Sequence, residues 1–156
     1  MGDILTMEEA LRRRAAARAL GRRFVFTNGC FDVLHPGHLA LLRRAKELGE
    51  FLLVGLNSDR SVRALKGEGR PVQGQEARAA LLAAIGSVDG VVVFDEETPA
   101  GIIETLLPDV LVKGGDYTPD RVVGREAVEG AGGCVVIVPL LPGHSSTALA
   151  AKTSRD

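Results

Sequence analysis

Only two cysteines, Cys30 and Cys134, occur in this chain of 156 residues, and they stand far apart. Neither a disulfide framework nor a zinc spacing can be read from them, so small buried thiols in a reducing compartment are expected. No apolar run reaches the roughly 18 residues that a membrane-spanning helix needs, and Met1 to Arg23 mixes charge with alanine where a secretion signal would be apolar. Neither sign of charge dominates: 19 Lys and Arg against 20 Asp and Glu leave a net charge of −1, which gives no global reason to expect nucleic acid as partner. The H-E-x-x-H pattern of metallohydrolases is missing, and so are internal repeats and low-complexity linkers. What is left is an ordinary globular composition, 46% hydrophobic and 25% charged, long enough for one real core and too short for two ordinary ones. A single soluble, cytoplasmic domain over 1–156 is expected, with a helical N-terminal extension at about 6–21.

The stretch Thr27 to His38, TNGCFDVLHPGH, concentrates the polar chemistry. It follows the β-rich run Phe24-Val25-Phe26 and precedes Leu39 to Leu48, where Leu41, Leu42, Ala45 and Leu48 fall at helical spacing. It is therefore a strand-to-helix turn. Pro36 suits the first helical position, and Gly37 gives room for close approach of a ligand. His35 and His38, three apart at a helix start, face the same way and flank a helix tip whose free N–H groups and dipole attract anions, phosphates above all. Two histidines alone are a weak signal, and they lack the third and fourth ligands of a zinc site. Asn28 and Asp32 in the same turn, with Gly29 and Gly37 at its ends, favour a ligand site.

Further along, Phe51 to Leu56 reads as a strand buried on both faces, leaving through Asn57-Ser58-Asp59. Ser58 or Asp59 caps a short helix, and Lys66-Gly67-Glu68-Gly69-Arg70-Pro71 forms a mobile loop with cationic tips, unless Lys66 and Arg70 are plain surface charge. The helix Gln75 to Ile85 carries Leu81, Leu82 and Ile85 inward. Arg78 on its inner side needs a partner, either a carboxylate or a ligand phosphate. Strands at Val91 to Phe94, Val110 to Val112 and Cys134 to Val138 alternate with helices near 98–107 and 123–130. Arg12, Arg13, Arg14 and Arg18 of the first helix read as a solvated face. This alternation predicts an α/β, Rossmann-like, doubly wound parallel sheet of about five strands, with ligands outside the carboxyl strand ends. The clusters TNG, NSD, KGGD and Ser145-Ser146-Thr147 all follow strands, so four loops converge on one edge.

The string Gly29-x-Phe31-Asp32-x-x-His35-x-Gly37-His38 resembles the signature of small nucleotidyltransferases with the HxGH motif. With NSD, LKGEGRPV and LVKGGDY, it looks most like the D-glycero-β-D-manno-heptose 1-phosphate adenylyltransferases, a likeness running from about Thr6 to Ala151. The resemblance implies transfer of AMP from ATP to heptose 1-phosphate, with Mg²⁺ held mainly by the ATP phosphates and no direct protein ligation. His35, His38, Arg78 and Lys66 are then the expected catalytic groups. Thr27, Asn28, Gly29, Phe31, Gly37, Lys113, Gly114, Asp116, Ser145, Ser146 and Thr147 would bind the nucleotide, and Asp32, Asn57, Asp59 and Arg70 the sugar phosphate. It further implies a homodimer, no nucleic acid or membrane partner, and a separate heptose 7-phosphate kinase. A cytidylyltransferase acting on glycerol 3-phosphate or a phosphorylated amino alcohol is the rival reading, and a nucleotide-sensing module without turnover is a more distant one.

Overall fold

A computed structural model describes residues 1–115 and 117–139. Its centre is a six-stranded, wholly parallel sheet. In chain order the elements are β1 (Asp3–Leu5), α1 (Met7–Ala19), β2 (Phe24–Gly29), α2 (Pro36–Glu47), β3 (Phe51–Asn57), α3 (Asp59–Lys66) and α4 (Gln75–Ala83). Then come β4 (Gly90–Phe94), α5 (Ala100–Leu106), β5 (Val110–Gly114), a 3₁₀ turn at Pro119–Arg121, α6 (Arg125–Gly130) and β6 (Cys134–Val138). The strand order is β1-β4-β3-β2-β5-β6. From β2 the chain winds outward through β3 to β4, then returns to lay β5 on the other side of β2. The reversal of direction falls between β2 and β5.

Alternation along each strand divides the core into two layers. Val25, Leu52, Val54, Leu56, Val91, Val110 and Val112 pack with Leu41, Leu42 and Ala45 of α2 and Ala79, Leu82 and Ala83 of α4. Phe24, Phe26, Leu53, Val92 and Leu111 point the other way, onto Ala10 and Ala17 of α1, Ile102, Ile103 and Leu106 of α5 and Val128 of α6. Each fully buried Leu, Phe or Val contributes on the order of 2 kcal/mol, which is why β2, β3 and β5 read as unbroken apolar runs. Gly55 is required in β3: a Cβ there would lie 2.6 Å from the Phe26 ring.

Three expectations are corrected. The sheet has six strands, not about five, because the three-residue β1 pairs at the edge with β4 and is too short to show a period. Helix α4 ends at Ala83, and Leu81 is exposed while Leu82 is buried. Arg14 does not belong to a solvated face. It is buried, ion-pairs with Asp109 at 3.0 Å, and donates to the Leu106 and Leu107 carbonyls at the end of α5. Only its neighbours Arg12 and Arg13 keep the exposed ion pairs of an outer face.

Asp109 also accepts the Phe24 N–H, so Arg14 ties α1, α5 and the start of β2 together. Arg14→Ala should lower unfolding free energy by about 3 kcal/mol, because it leaves helix-end carbonyls and a carboxylate without their donor. Arg12→Ala should change it by less than about 0.5 kcal/mol. Urea denaturation of both variants measures the contrast.

Candidate active site

The carboxyl ends of β2, β3 and β5 open on a cavity of about 480 Å³. Its wall includes Asn28 and Gly29 from β2, Asn57 from β3, and Lys113 and Gly114 from β5. His38 and Leu41 of α2, Leu65 and Lys66 of α3, and Glu97, Pro99 and Tyr117 complete most of it. It therefore sits at the point where strand order reverses, the place such sheets reserve for ligands.

His35 is the N-cap of α2, and its Nδ1 accepts the Gly37 N–H at 3.1 Å. That bond places the proton of the neutral ring on Nε2. The rings of His35 and His38 stack with centroids 3.7 Å apart, so the two face the same way, and the Phe31 ring lies 5.1 Å from His38. Phe31 adopts φ 44°, a conformation costly for an aromatic residue, and Gly29 lets its ring fold back, since a Cβ there would stand 3.0 Å from Phe31 Cε2. The expected row of free N–H groups at the tip of α2 is not found. Pro36 has none, Gly37 donates to His35 Nδ1, and the His38 and Leu39 N–H groups turn back to the His35 carbonyl. The helix dipole and the imidazoles are what the tip offers an anion.

Burial of His38, with the neighbouring His35 and Lys66, lowers its pKa from 6.5 to about 4. The ring is neutral at pH 7, and its Nδ1 makes no hydrogen bond among the described residues.

Beneath the cavity lie two buried charges. Asp32, with no exposed surface, accepts from Arg70 Nε at 2.6 Å and from the Val72 and Gln73 N–H groups at 2.9 and 3.0 Å. Burial works to raise its pKa, but these hydrogen bonds and the Arg70 charge prevail and hold it below the usual carboxylate value. Arg78, also without exposed surface, donates to the carbonyls of Gln73, Cys30 and Asn57 at 2.7–2.8 Å and to Asp59 Oδ1 at 2.7 Å.

Of the residues expected to bind nucleotide, Asn28, Gly29, Phe31, Lys113 and Gly114 do line the cavity, as do His38 and Lys66 of the catalytic set and Asn57 of the sugar set. Lys113 Nζ lies 5.1 Å from the centroid of the Tyr117 ring. His35 and Gly37 are buried beside His38. Thr27 is buried too, and its Oγ1 donates to the Val112 carbonyl at 2.9 Å, fastening β2 to β5. Arg78, Asp59, Asp32 and Arg70 have their charges engaged with one another's segments, so a phosphate would reach Arg78 only by displacing protein oxygens. Asp116, Ser145, Ser146 and Thr147 lie outside the described residues. Glu97, Pro99 and Tyr117 were not singled out from sequence. Glu97 follows β4 just as NSD follows β3, so the strand-end rule would have reached it. Cys30, expected as a small buried thiol, is half-buried and also lines the cavity, and burial raises its pKa against the opposing charges of Lys66, Arg78 and Arg70.

The sequence matches the family described as cytidylyltransferase-like over residues 26–148. It is 60% identical over 133 residues to "Bifunctional protein HldE" of Geobacter sulfurreducens, covering 85% of this chain and 27% of that protein. Against the protein of the same name from Bradyrhizobium sp. (strain ORS 278) it is 55% identical over 148 residues, covering 95% and 30%. The chain thus spans between about a quarter and a third of the length of these curated relatives. Among solved structures, the lipopolysaccharide core biosynthesis protein from Thermoplasma volcanium GSS1 superposes with TM-score 0.62 at 27% identity, covering 78% of this chain and 98% of that one. No helix among the described residues is long and apolar enough to cross a membrane.

The low pKa of His38 makes a signed prediction. Below pH 6.5 the unfolded chain takes up a proton that the folded chain refuses until about pH 4, so stability falls as pH drops through this window. The Asp32 contribution is lost only at lower pH, below the ordinary carboxylate value. Denaturant midpoints measured from pH 7 to pH 4 should decline, and His38→Asn should flatten that decline. In NMR titrations the His38 ring should titrate near pH 4 in the free protein, and higher once inorganic triphosphate is added.

Proposed function

The chain belongs to the cytidylyltransferase-like family, and on that premise we propose that it transfers AMP from ATP to D-glycero-β-D-manno-heptose 1-phosphate, giving ADP-heptose and pyrophosphate for lipopolysaccharide core or related glycan precursors. One observation carries the reading: His35 and His38 stacked 3.7 Å apart at the tip of α2, beside a strand-end cavity that also receives Lys66 and Lys113. The choice of heptose rests on the resemblance of TNGCFDVLHPGH, NSD, LKGEGRPV and LVKGGDY, and on a solved relative described as a lipopolysaccharide core biosynthesis protein.

In the proposed reaction an oxygen of the sugar phosphate attacks the α-phosphorus of ATP. The new P–O bond forms as the bond from the α-phosphorus to the bridging oxygen breaks, and pyrophosphate leaves with that electron pair. The attacking phosphate is already ionised, so a general base would contribute little. The chemistry is mainly electrostatic: donors fixed in advance must meet negative charge that grows on the α-phosphate and the leaving group. His35 donates through Nε2, and His38 stands stacked against it. Lys66 and Lys113 supply positive charge, while Gly29 and Gly114 permit close approach of the nucleotide. Arg78, Asp59, Asp32, Arg70 and Thr27 act in this reading by holding the loops, not by touching phosphate. Ser145, Ser146, Thr147 and Asp116 complete the nucleotide site by resemblance alone.

The nitrogen side chains at the phosphate end do not suit a hard, oxygen-seeking cation, so Mg²⁺ is proposed to ride on the ATP phosphate oxygens, where it neutralises charge. A cytoplasmic homodimer completes the proposal, on the strength of the resemblance.

Pyrophosphate release from heptose 1-phosphate with ATP or CTP tests the assignment. Release with ATP is expected, and release only with CTP overturns it. His35→Ala should keep the fold and lower turnover by about 10²-fold or more, since one preorganised donor to developing charge is worth that much. A rate unchanged within error would remove this histidine from the reaction.

A further inference from the structure

Asn57 ends β3 and lines the cavity, although only 3% of it is exposed. The orientation of its amide follows from a chain of donors. Ser61 Oγ has one proton, which it gives to the Glu96 carbonyl at 2.8 Å. It must therefore meet Asn57 as an acceptor, and the atom facing it at 2.9 Å is Nδ2. With Nδ2 committed to Ser61, the amide oxygen Oδ1 is the polar atom left to a side chain that lines the cavity, and it accepts no hydrogen bond among the described residues. Glu97, the next residue after the carbonyl that receives the Ser61 proton, lines the same cavity.

The cavity is thus polarised. On the side of β3 and β4 it presents an amide oxygen and a carboxylate, which only accept. On the side of α2 and β5 it presents His38 and Lys113, joined by Lys66 at the end of α3, whose charge acts on His38 and Cys30. A phosphate placed against the first wall would meet oxygen on oxygen, whereas a hydroxyl would supply the missing proton. We propose that Asn57 Oδ1 and Glu97 are specificity-determining acceptors that hold the hydroxyl groups of a phosphorylated polyol, with its phosphate directed to the opposite wall. This rests on the nucleotidyltransferase reading of the cavity, but not on heptose as the particular polyol.

Two other ligands would also suit a pair of oxygens, an ammonium group and a divalent cation, and kinetics separates them. Steady-state rates of the full chain are measured for Glu97→Ala, Glu97→Gln and Asn57→Ala. The acceptors are heptose 1-phosphate with ATP, glycerol 3-phosphate with CTP, and ethanolamine phosphate with CTP. The expected result is a KM for the polyol phosphate raised about 10-fold or more in Glu97→Ala and Asn57→Ala, the loss of one hydrogen bond to a buried or charged acceptor. The KM for nucleotide and the Mg²⁺ dependence should stay as in the unaltered chain. Glu97→Gln keeps an accepting oxygen and should restore the KM to within about threefold, which a charge-bearing role would not allow, while a merely structural role would not raise the KM for one substrate alone. Because Glu97 is exposed, its variants fold even if Asn57→Ala does not.

Turnover of glycerol 3-phosphate with the same pattern supports the inference while rejecting heptose. The inference is overturned by a shift in Mg²⁺ dependence, by a rise in nucleotide KM, by unaltered kinetics in Glu97→Ala, or by ethanolamine phosphate as the preferred acceptor with no rescue in Glu97→Gln. No turnover of either polyol phosphate overturns it together with the proposed function.

Discussion

The guanidinium of Arg78 is the constraint on which the geometry of the cavity depends. Removing such a charge from water costs several kcal/mol, and it is tolerated only where hydrogen bonds saturate it. Here the planar fork reaches Gln73, Cys30 and Asn57 through their carbonyls and Asp59 through its carboxylate. Those four residues belong to the turn after β2, the end of β3, the start of α3 and the segment before α4. Backbone carbonyls that have left the sheet ladder need donors, and one side chain provides them for three segments at once. A lysine could not, because a point charge with three diverging N–H groups lacks the fork that spans these acceptors.

Asp32 does the complementary work with opposite charge. Its carboxylate gathers Val72, Gln73 and Arg70, and so draws the loop after α3 onto the HxGH turn. Gln73 is where the two networks meet: its N–H goes to Asp32 and its carbonyl to Arg78. Asp32, Arg78 and Asp59 are thereby engaged in holding loops in place, as is Arg70 through Nε, while its buried Nη2 has no hydrogen-bond partner among the described residues. The side chains left on the cavity wall, His38, Lys66, Lys113, Glu97 and Asn57, are separate from them. Arg70 apart, scaffold charge and chemical charge are different residues, although they alternate along the same short stretches of chain.

This division explains what could be read from the sequence and what could not. The doubly wound sheet was legible because β2, β3 and β5 are buried on both faces and their apolar runs are unbroken. The strand β1 was not, since three residues at a sheet edge show no period. That His35 and His38 share a direction followed from their spacing at a helix start. That Arg78 spends its donors on carbonyls did not follow, because an inward arginine looks the same whether it meets a phosphate or a backbone oxygen. Arg14 escaped for a related reason: its partners are the last carbonyls of α5, some ninety residues away in sequence, and no local pattern marks them. The use of helix-tip N–H groups within the HxGH turn itself also needed coordinates, since it depends on which ring nitrogen of His35 faces Gly37.

The neutrality of the imidazole pair bears on how such a site could accelerate phosphoryl transfer. Two cationic rings stacked at 3.7 Å would repel each other and would bind a resting triphosphate tightly, and that deepens the ground state as much as it lowers the barrier. With the His38 pKa near 4, the site instead waits with dipolar donors, whose attraction grows as charge accumulates on the transferring phosphoryl group. Any proton that His38 takes up would then follow the arrival of polyanion charge, which offsets the burial that disfavours the imidazolium. The Phe31 ring, which lies against His38, adds to the burial that holds the pKa low, and Gly29 leaves room for that ring. A residue with no side chain thus bears on the burial of a histidine nine residues further along.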